Sequence, residues 1–159
     1  MKPSLLLLAA VSILAAVAAS SRASSATLTR SSCTLASLPP ATAAGEQTLY
    51  GHVRSLVRKG RRFELRFDPA WLLTGVTATR ASLEDTGSSD VPNDTYTRDE
   101  SHRLLTFLVP PTARVTVLAR GTCSTRTTVA KLARSGSRAA FWIRVRDDTV
   151  RSIDQPYDP

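Results

Sequence analysis

The chain has 159 residues, long enough for one domain with a proper core and too short for two comfortable ones. Its 42% hydrophobic content belongs to a globular protein and excludes a wholly disordered or fibrous one. Twenty-one lysines and arginines stand against 13 acids, a formal net charge of +8 that favours anionic partners. Only Lys2, Lys59 and Lys131 are lysines; with the abundant Ala and Thr, the arginine excess fits a GC-rich genome as well as selection for a binding surface.

Lys2, the apolar run Leu5 to Ala19 and the small residues around Ser21 to Ala23 have the three regions of a secretory signal peptide, assigned to residues 1–23. The run is shorter than the roughly 20 residues that span a bilayer, so an uncleaved anchor is the weaker alternative and the mature chain is expected to carry no transmembrane segment. The expected localisation is secreted or extracytoplasmic. Residues 24–46, rich in Ser, Ala and Thr with Pro39 and Pro40, read as a flexible leader, and residues 47–159 as a single α+β domain. In an oxidising compartment thiols pair, so Cys33 and Cys123 are expected to form one disulfide; pairing of Cys33 with another molecule is the alternative. The long loop so closed is worth on the order of 4 kcal/mol in the chain-entropy account.

Tyr50 to Trp71 reads as a β-hairpin about Gly60. An odd-length turn sets Val57 opposite Phe63, Ser55 opposite Leu65 and Val53 opposite Phe67 on the core face. The other face then gathers Arg54, Arg58, Arg62 and Arg66, with Leu56 and Glu64. Pro69 is expected to end the strand pattern and Trp71 to plug the core nearby. A helix follows, capped by Thr74, with Val76, Ala78, Ala81 and Leu83 as its apolar stripe and Gly87 as its stop. Residues 87–102 form a polar connection with a turn signal at Pro92-Asn93-Asp94.

Arg103 to Val109 reads as a central strand stopped by Pro110 and Pro111, and Arg114 to Ala119 as its antiparallel neighbour. Gly121 to Thr127 reads as a polar turn holding Cys123, then Thr128 to Ser135 as a short helix closed by Gly136. Phe141 to Arg146 alternates with Phe141, Ile143 and Val145 inward, and Thr149 to Ile153 is a further extended piece. The fold class expected is α+β: a small antiparallel sheet or partly closed barrel of five to six strands with two short helices, preceded by the signal peptide.

Three stretches, FELRFDPAWLLTGVTATRASLED, VPNDTYTRDESHRLLTFLVPPTARVTVL and FWIRVRDDTVRSIDQPYDP, resemble an uncharacterised group of small exported proteins of high-GC Gram-positive bacteria. The resemblance covers roughly the last two thirds of the chain. Its most specific signals are Asp68 with Trp71, Leu72 and Gly75, then Asn93 and Asp94 with Tyr96 and Arg98, and the ending Asp154, Gln155, Tyr157 and Pro159. It implies a shared fold and brings no activity, substrate, cofactor or catalytic residue. The hairpin arginines are not among the matching positions.

The clustered arginines Arg54, Arg58, Arg62 and Arg66 are the candidate ligand site, for arginine forks suit phosphate and carboxylate. Outside a cell the matching anions are envelope polymers and lipid headgroups. Nucleic acid is not the expected partner, because Phe63 and Phe67 point to the core rather than offering stacking surfaces. Against this stands neutralisation of the same face by Glu64, salt and acids such as Asp99 or Glu100. The second candidate is the loop with Asn93, Asp94, Tyr96, Arg98 and His102. Its oxygens lack the spacing and fixed glycine of a calcium loop, so no metal or cofactor is assigned. Turn-capping by Asn93 and Asp94, an acid partner for Arg98 and packing by Tyr96 are the plainer expectation. No Gly-x-Ser-x-Gly elbow or paired-histidine spacing is present, and no catalytic residue is assigned. A non-enzymatic binding domain is therefore expected. The alternatives are a small secreted hydrolase built on His102, Asp99 and a serine, and a protein-binding accessory domain marked by an exposed apolar patch near Trp71 or Trp142.

Overall fold

The computed structural model describes residues 41–101, 103–119, 123–136 and 138–157. The expectations placed on residues 1–40, including Cys33, and on His102 lie outside the described residues. Ten elements follow one another: β1 (Gln47–Lys59), β2 (Arg62–Thr74), α1 (Gly75–Thr86), β3 (Thr95–Arg98), β4 (Leu105–Val109), β5 (Arg114–Ala119), β6 (Cys123–Thr127), α2 (Val129–Ser135), β7 (Ala140–Arg146) and β8 (Thr149–Asp154). A 3-10 turn at Pro92–Asp94 precedes β3. No helix among the described residues is long and apolar enough to cross a membrane.

The fold is α+β, built on a closed five-stranded mixed barrel. β1 pairs with β2 on one side and with β7 on the other, β7 turns into β8, and β4 pairs with β2. Closure is made where Leu108 of β4 meets Thr149 of β8 in parallel, with the Leu108 N–H donating to the Asp148 carbonyl at 3.0 Å. A barrel of so few strands has an interior only wide enough for side chains. Leu65, Phe67, Val109, Phe141, Ile143, Val150 and Ile153 fill it, and Val129 and Leu132 of α2 pack on the same cluster. The inward alternation of Phe141, Ile143 and Val145 is as the sequence implies. Asp147 and Asp148, both at positive φ, make the tight β7–β8 turn whose twist suits a hairpin.

Three strands lie outside the ring, so the count is eight rather than five to six; the parallel β4–β8 and β5–β8 pairings make the sheet mixed rather than antiparallel. β3 pairs with the far end of β2, β5 runs parallel to β8, and β6 pairs with β5. β3 (TYTR) and β6 (CSTRT) fall in stretches expected as a polar loop and a polar turn. Neither carries an apolar alternation, because each is an added outer strand with little core to face. The Pro110-Pro111-Thr112-Ala113 segment also fails to reverse the chain. It passes β4 on to β5 so that both run parallel to β8, where an antiparallel neighbour was expected.

The hairpin register differs from the odd-turn expectation near its tip. Lys59 pairs with Arg62, Arg58 with Phe63, Val57 with Glu64 and Leu56 with Leu65, so the turn has two residues, Gly60 and Arg61. A bulge between Val53 and Ser55 then absorbs one residue, and from Val53 opposite Phe67 onward the pairing is the expected one. Leu56 is consequently buried and Val57 exposed. β2 also continues through Pro69, where a stop was expected. Its outer neighbour changes there from β4, which reaches Phe67, to β3, which begins at Trp71, so the missing N–H removes no bond on that side.

Both helices start and stop where the sequence places them, although Thr74 precedes α1 without a capping hydrogen bond from its side chain. Gly87, at φ +77, donates its N–H to the Leu83 carbonyl, and Thr128 accepts a hydrogen bond from the Lys131 N–H at 3.2 Å. The expected apolar stripe of α1 is corrected: Ala78, Ala81 and Ser82 are buried, whereas Val76 is 86% exposed and Leu83 half exposed. A helix lying over β2 and β3 rather than over the barrel interior needs only small residues underneath. Trp71 is likewise no core plug, at 62% exposure. Residues 41–46 reach β7: the Ala41 carbonyl accepts from Arg144 Nη1 at 3.1 Å and Glu46 pairs with the same guanidinium.

Candidate functional site: a basic groove beside β1

β1 outlasts one of its neighbours. It pairs with β2 as far as Lys59, but with β7 only as far as His52 opposite Ala140. Beyond His52, no strand among the described residues covers that second edge. α2 and the residues after it approach instead, leaving a groove of about 520 Å³ lined by residues 52–57 with Leu132, Ala133, Gly136 and Arg138. Consecutive residues of a strand can share a groove only along its edge, because alternate side chains leave on opposite faces. The lining therefore includes backbone as well as side chains.

His52, Arg54 and Arg138 are among the lining residues, and none of the lining residues is acidic. Arg54 is the residue inserted by the bulge. Its Nε and Nη2 both reach Oδ2 of Asp68, at 2.7 and 2.5 Å. Asp68 is 2% exposed, and its Oδ1 has no hydrogen-bond partner among the described residues. The Arg54 side chain remains 53% exposed, so a buried carboxylate fixes a guanidinium whose remaining N–H groups face outward. Arg138 is exposed and makes no ion pair among the described residues. Val53, Leu56, Val57, Leu132 and Ala133 make the apolar part of the lining.

The four hairpin arginines do not form one face. Arg62 and Arg66 stand on the outer face opposite Lys59 and Ser55, with Glu64 between them. Arg58 lies on the opposite face across from Phe63, where its Nε donates to the Gly60 carbonyl at 3.1 Å. The two-residue turn and the bulge cause this separation, and only Arg54 reaches the groove. Arg138 was missed in the sequence because nothing local marks it: it enters through the packing of α2 against β1.

Two of the loop candidates, Tyr96 and Arg98, hold β3 to α1. Arg98 donates from Nε and Nη2 to the two oxygens of Asp85, at 3.0 and 2.5 Å, and from Nη2 to Glu84 at 3.1 Å. Tyr96 donates its hydroxyl to Asp85 at 3.2 Å. These bonds, those from Arg98 first, hold the Asp85 carboxyl below the usual carboxylate range. The same bonds raise the Arg98 guanidinium further, while burial and then the Asp85 charge push the Tyr96 phenol up. Asn93 and Asp94, at φ 57 and 55, take the left-handed turn conformation that Asn and Asp tolerate. The expectation that Arg98 pairs with an acid and Tyr96 holds the loop is met. His102, needed for the hydrolytic alternative, lies outside the described residues.

Trp142 is half-buried, with its ring 4.9 Å from that of its cross-strand partner Tyr50. Trp71, Val76 and Leu83 are the exposed apolar side chains nearest the accessory-domain expectation. No protein-family model, no curated protein and no solved structure matches this chain.

Proposed function

We propose that this chain is a non-enzymatic binding domain, exported and acting at the cell envelope or outside the cell, that holds phosphate- or carboxylate-bearing ligands in the groove between β1 and α2. The observation that carries the reading is the convergence of His52, Arg54 and Arg138 from two separate elements on one concavity with no acid in its lining. Arg54 arrives pre-oriented by Asp68, which lowers the entropy lost on binding. Arg138 supplies a charge with no ion pair among the described residues, and each hydrogen bond to an ionised group contributes about 1.5–3 kcal/mol. Kinship with the group of small exported proteins of high-GC Gram-positive bacteria, the signal peptide at 1–23 and a Cys33–Cys123 disulfide belong to the same proposal. Peptide mapping of the secreted protein without reductant tests the last of these.

Inorganic tripolyphosphate and vesicles of phosphatidylglycerol or phosphatidylcholine are suitable probes, because they separate a free phosphate from a lipid surface. Titration at low and high salt, with the native chain and Arg138→Ser, is expected to show salt-sensitive binding of the anionic probes that falls about tenfold in the variant. Binding that Arg138→Ser leaves unchanged would remove the groove from the account.

A further inference from the structure

The groove offers an unpaired strand edge as well as charge. We infer that its ligand is an extended acidic peptide segment, which adds to β1 as a further strand in the space between β1 and α2. This rests on the reading of the groove as an anion site and names the ligand class.

Three observations carry the inference. The first is the edge itself. β2 saturates one side of β1 through Lys59, whereas pairing with β7 ends at His52, so the backbone of Val53 to Lys59 has a second side with no strand partner among the described residues. That span is about 20 Å, the length of five or six residues of an added strand. The second is the lining. Ala133 and Leu132 of α2 line the groove together with Leu56 and Val57; Leu56 and Leu132 belong to the core, so the half-buried Ala133 is what α2 offers as an apolar wall to a strand laid on the edge. The third is charge. Arg138, which makes no ion pair among the described residues, and the exposed part of the Arg54 guanidinium call for acidic side chains or a terminal carboxylate on the incoming strand.

Natural sheets often blunt an open edge with charges and bulges, and the bulge at Arg54 with the exposed Arg58 and Lys59 fits that device. Edge protection does not account for Arg138 or for the apolar wall, because both come from the α2 region rather than from the strand. An edge closed by its own sequence needs no facing groove.

The test uses the mature chain, an acetylated hexapeptide alternating Val and Glu, the same peptide N-methylated at alternate amides, and inorganic tripolyphosphate. Binding is read by fluorescence polarisation with labelled peptide, by calorimetry for tripolyphosphate, and by amide hydrogen exchange along β1. Support is binding of the unmodified peptide with new protection of amides in residues 53–59, at least a tenfold loss on N-methylation, and weakening by Arg138→Ser. If tripolyphosphate binds and loses affinity in Arg138→Ser, while the peptide does not bind or binds equally well when N-methylated, strand addition is overturned and the anion site stands. If neither probe binds, both readings fall. Concentration-dependent protection of the same amides without peptide would give the edge to a second copy of this chain and overturn the proposal.

Discussion

Replacing Arg54 by serine leaves Asp68 with both carboxylate oxygens unpartnered in a site that is 2% exposed. Today one oxygen takes two donors from Arg54 and the other takes none. Breaking a fully buried pair by removing one partner costs about 3–5 kcal/mol. The Arg54 side chain is 53% exposed, so water can follow into its place, and the expected loss shrinks to about 2–3 kcal/mol. For a domain of this size that lowers Tm by roughly 10 °C. Asp68→Asn removes the charge that needs compensating, so Arg54→Ser added to it is expected to cost under about 1 kcal/mol, a coupling of roughly 1–2 kcal/mol. Thermal and urea unfolding of the native chain, both single variants and the double variant give all four corners of the cycle. Equal costs of Arg54→Ser in the Asp68 and Asn backgrounds would refute the reasoning.

Other substitutions probe the frame. Gly51→Ala is expected to abolish folding or cost well over 3 kcal/mol, because a Cβ there would lie 2.0 Å from the Asp68 carbonyl oxygen; soluble yield and urea midpoint check this. Gly60→Ala meets open space, so it is expected to cost only about 1–2 kcal/mol, from its left-handed backbone alone, by the same urea midpoint. Phe67→Ala is expected to lose about 3–5 kcal/mol from the barrel interior, whereas Val76→Ser stays within about 0.5 kcal/mol, by equilibrium unfolding. The Asp85 carboxyl titrates lower in the folded than in the unfolded chain, so its contribution is complete above the unfolded value, near pH 4, and is lost as pH falls through the lower folded value. Asp85→Asn is expected to flatten that acid limb in a stability-against-pH series, and an unchanged limb would contradict the Arg98 latch.

What could be read in advance follows the range of the interactions. Helix ends at Gly87 and Gly136 were legible because a left-handed stop is a one-residue signal, and the β7 alternation because its inward residues sit two apart. The hairpin was legible as a hairpin, but its register near the tip depends on whether Gly60 turns the chain alone or with Arg61, and on a bulge that no residue type announces. β3 and β6 were hidden because their order comes from backbone pairing to β2 and β5, with no apolar pattern of their own. The positions on which the proposed kinship rests largely hold the frame: Asp68 anchors Arg54, Arg98 and Tyr96 clasp α1, Asp154 pairs with Arg114 at 3.2 Å, and the Gln155 side chain accepts from the Leu118 N–H. The groove could not be read from any local window, since it exists only where α2 meets the end of β1 that β7 leaves uncovered.

The central claim is that ligand recognition takes place in that groove. The most direct measurement is an amide NMR titration of the protein with tripolyphosphate, run at low salt and repeated with Arg138→Ser. Shift changes are predicted to concentrate on His52 to Val57 and on the 132–138 region, and to fade in the variant. Changes centred on Arg58 to Arg62 at the hairpin tip, or none at all, would contradict the account.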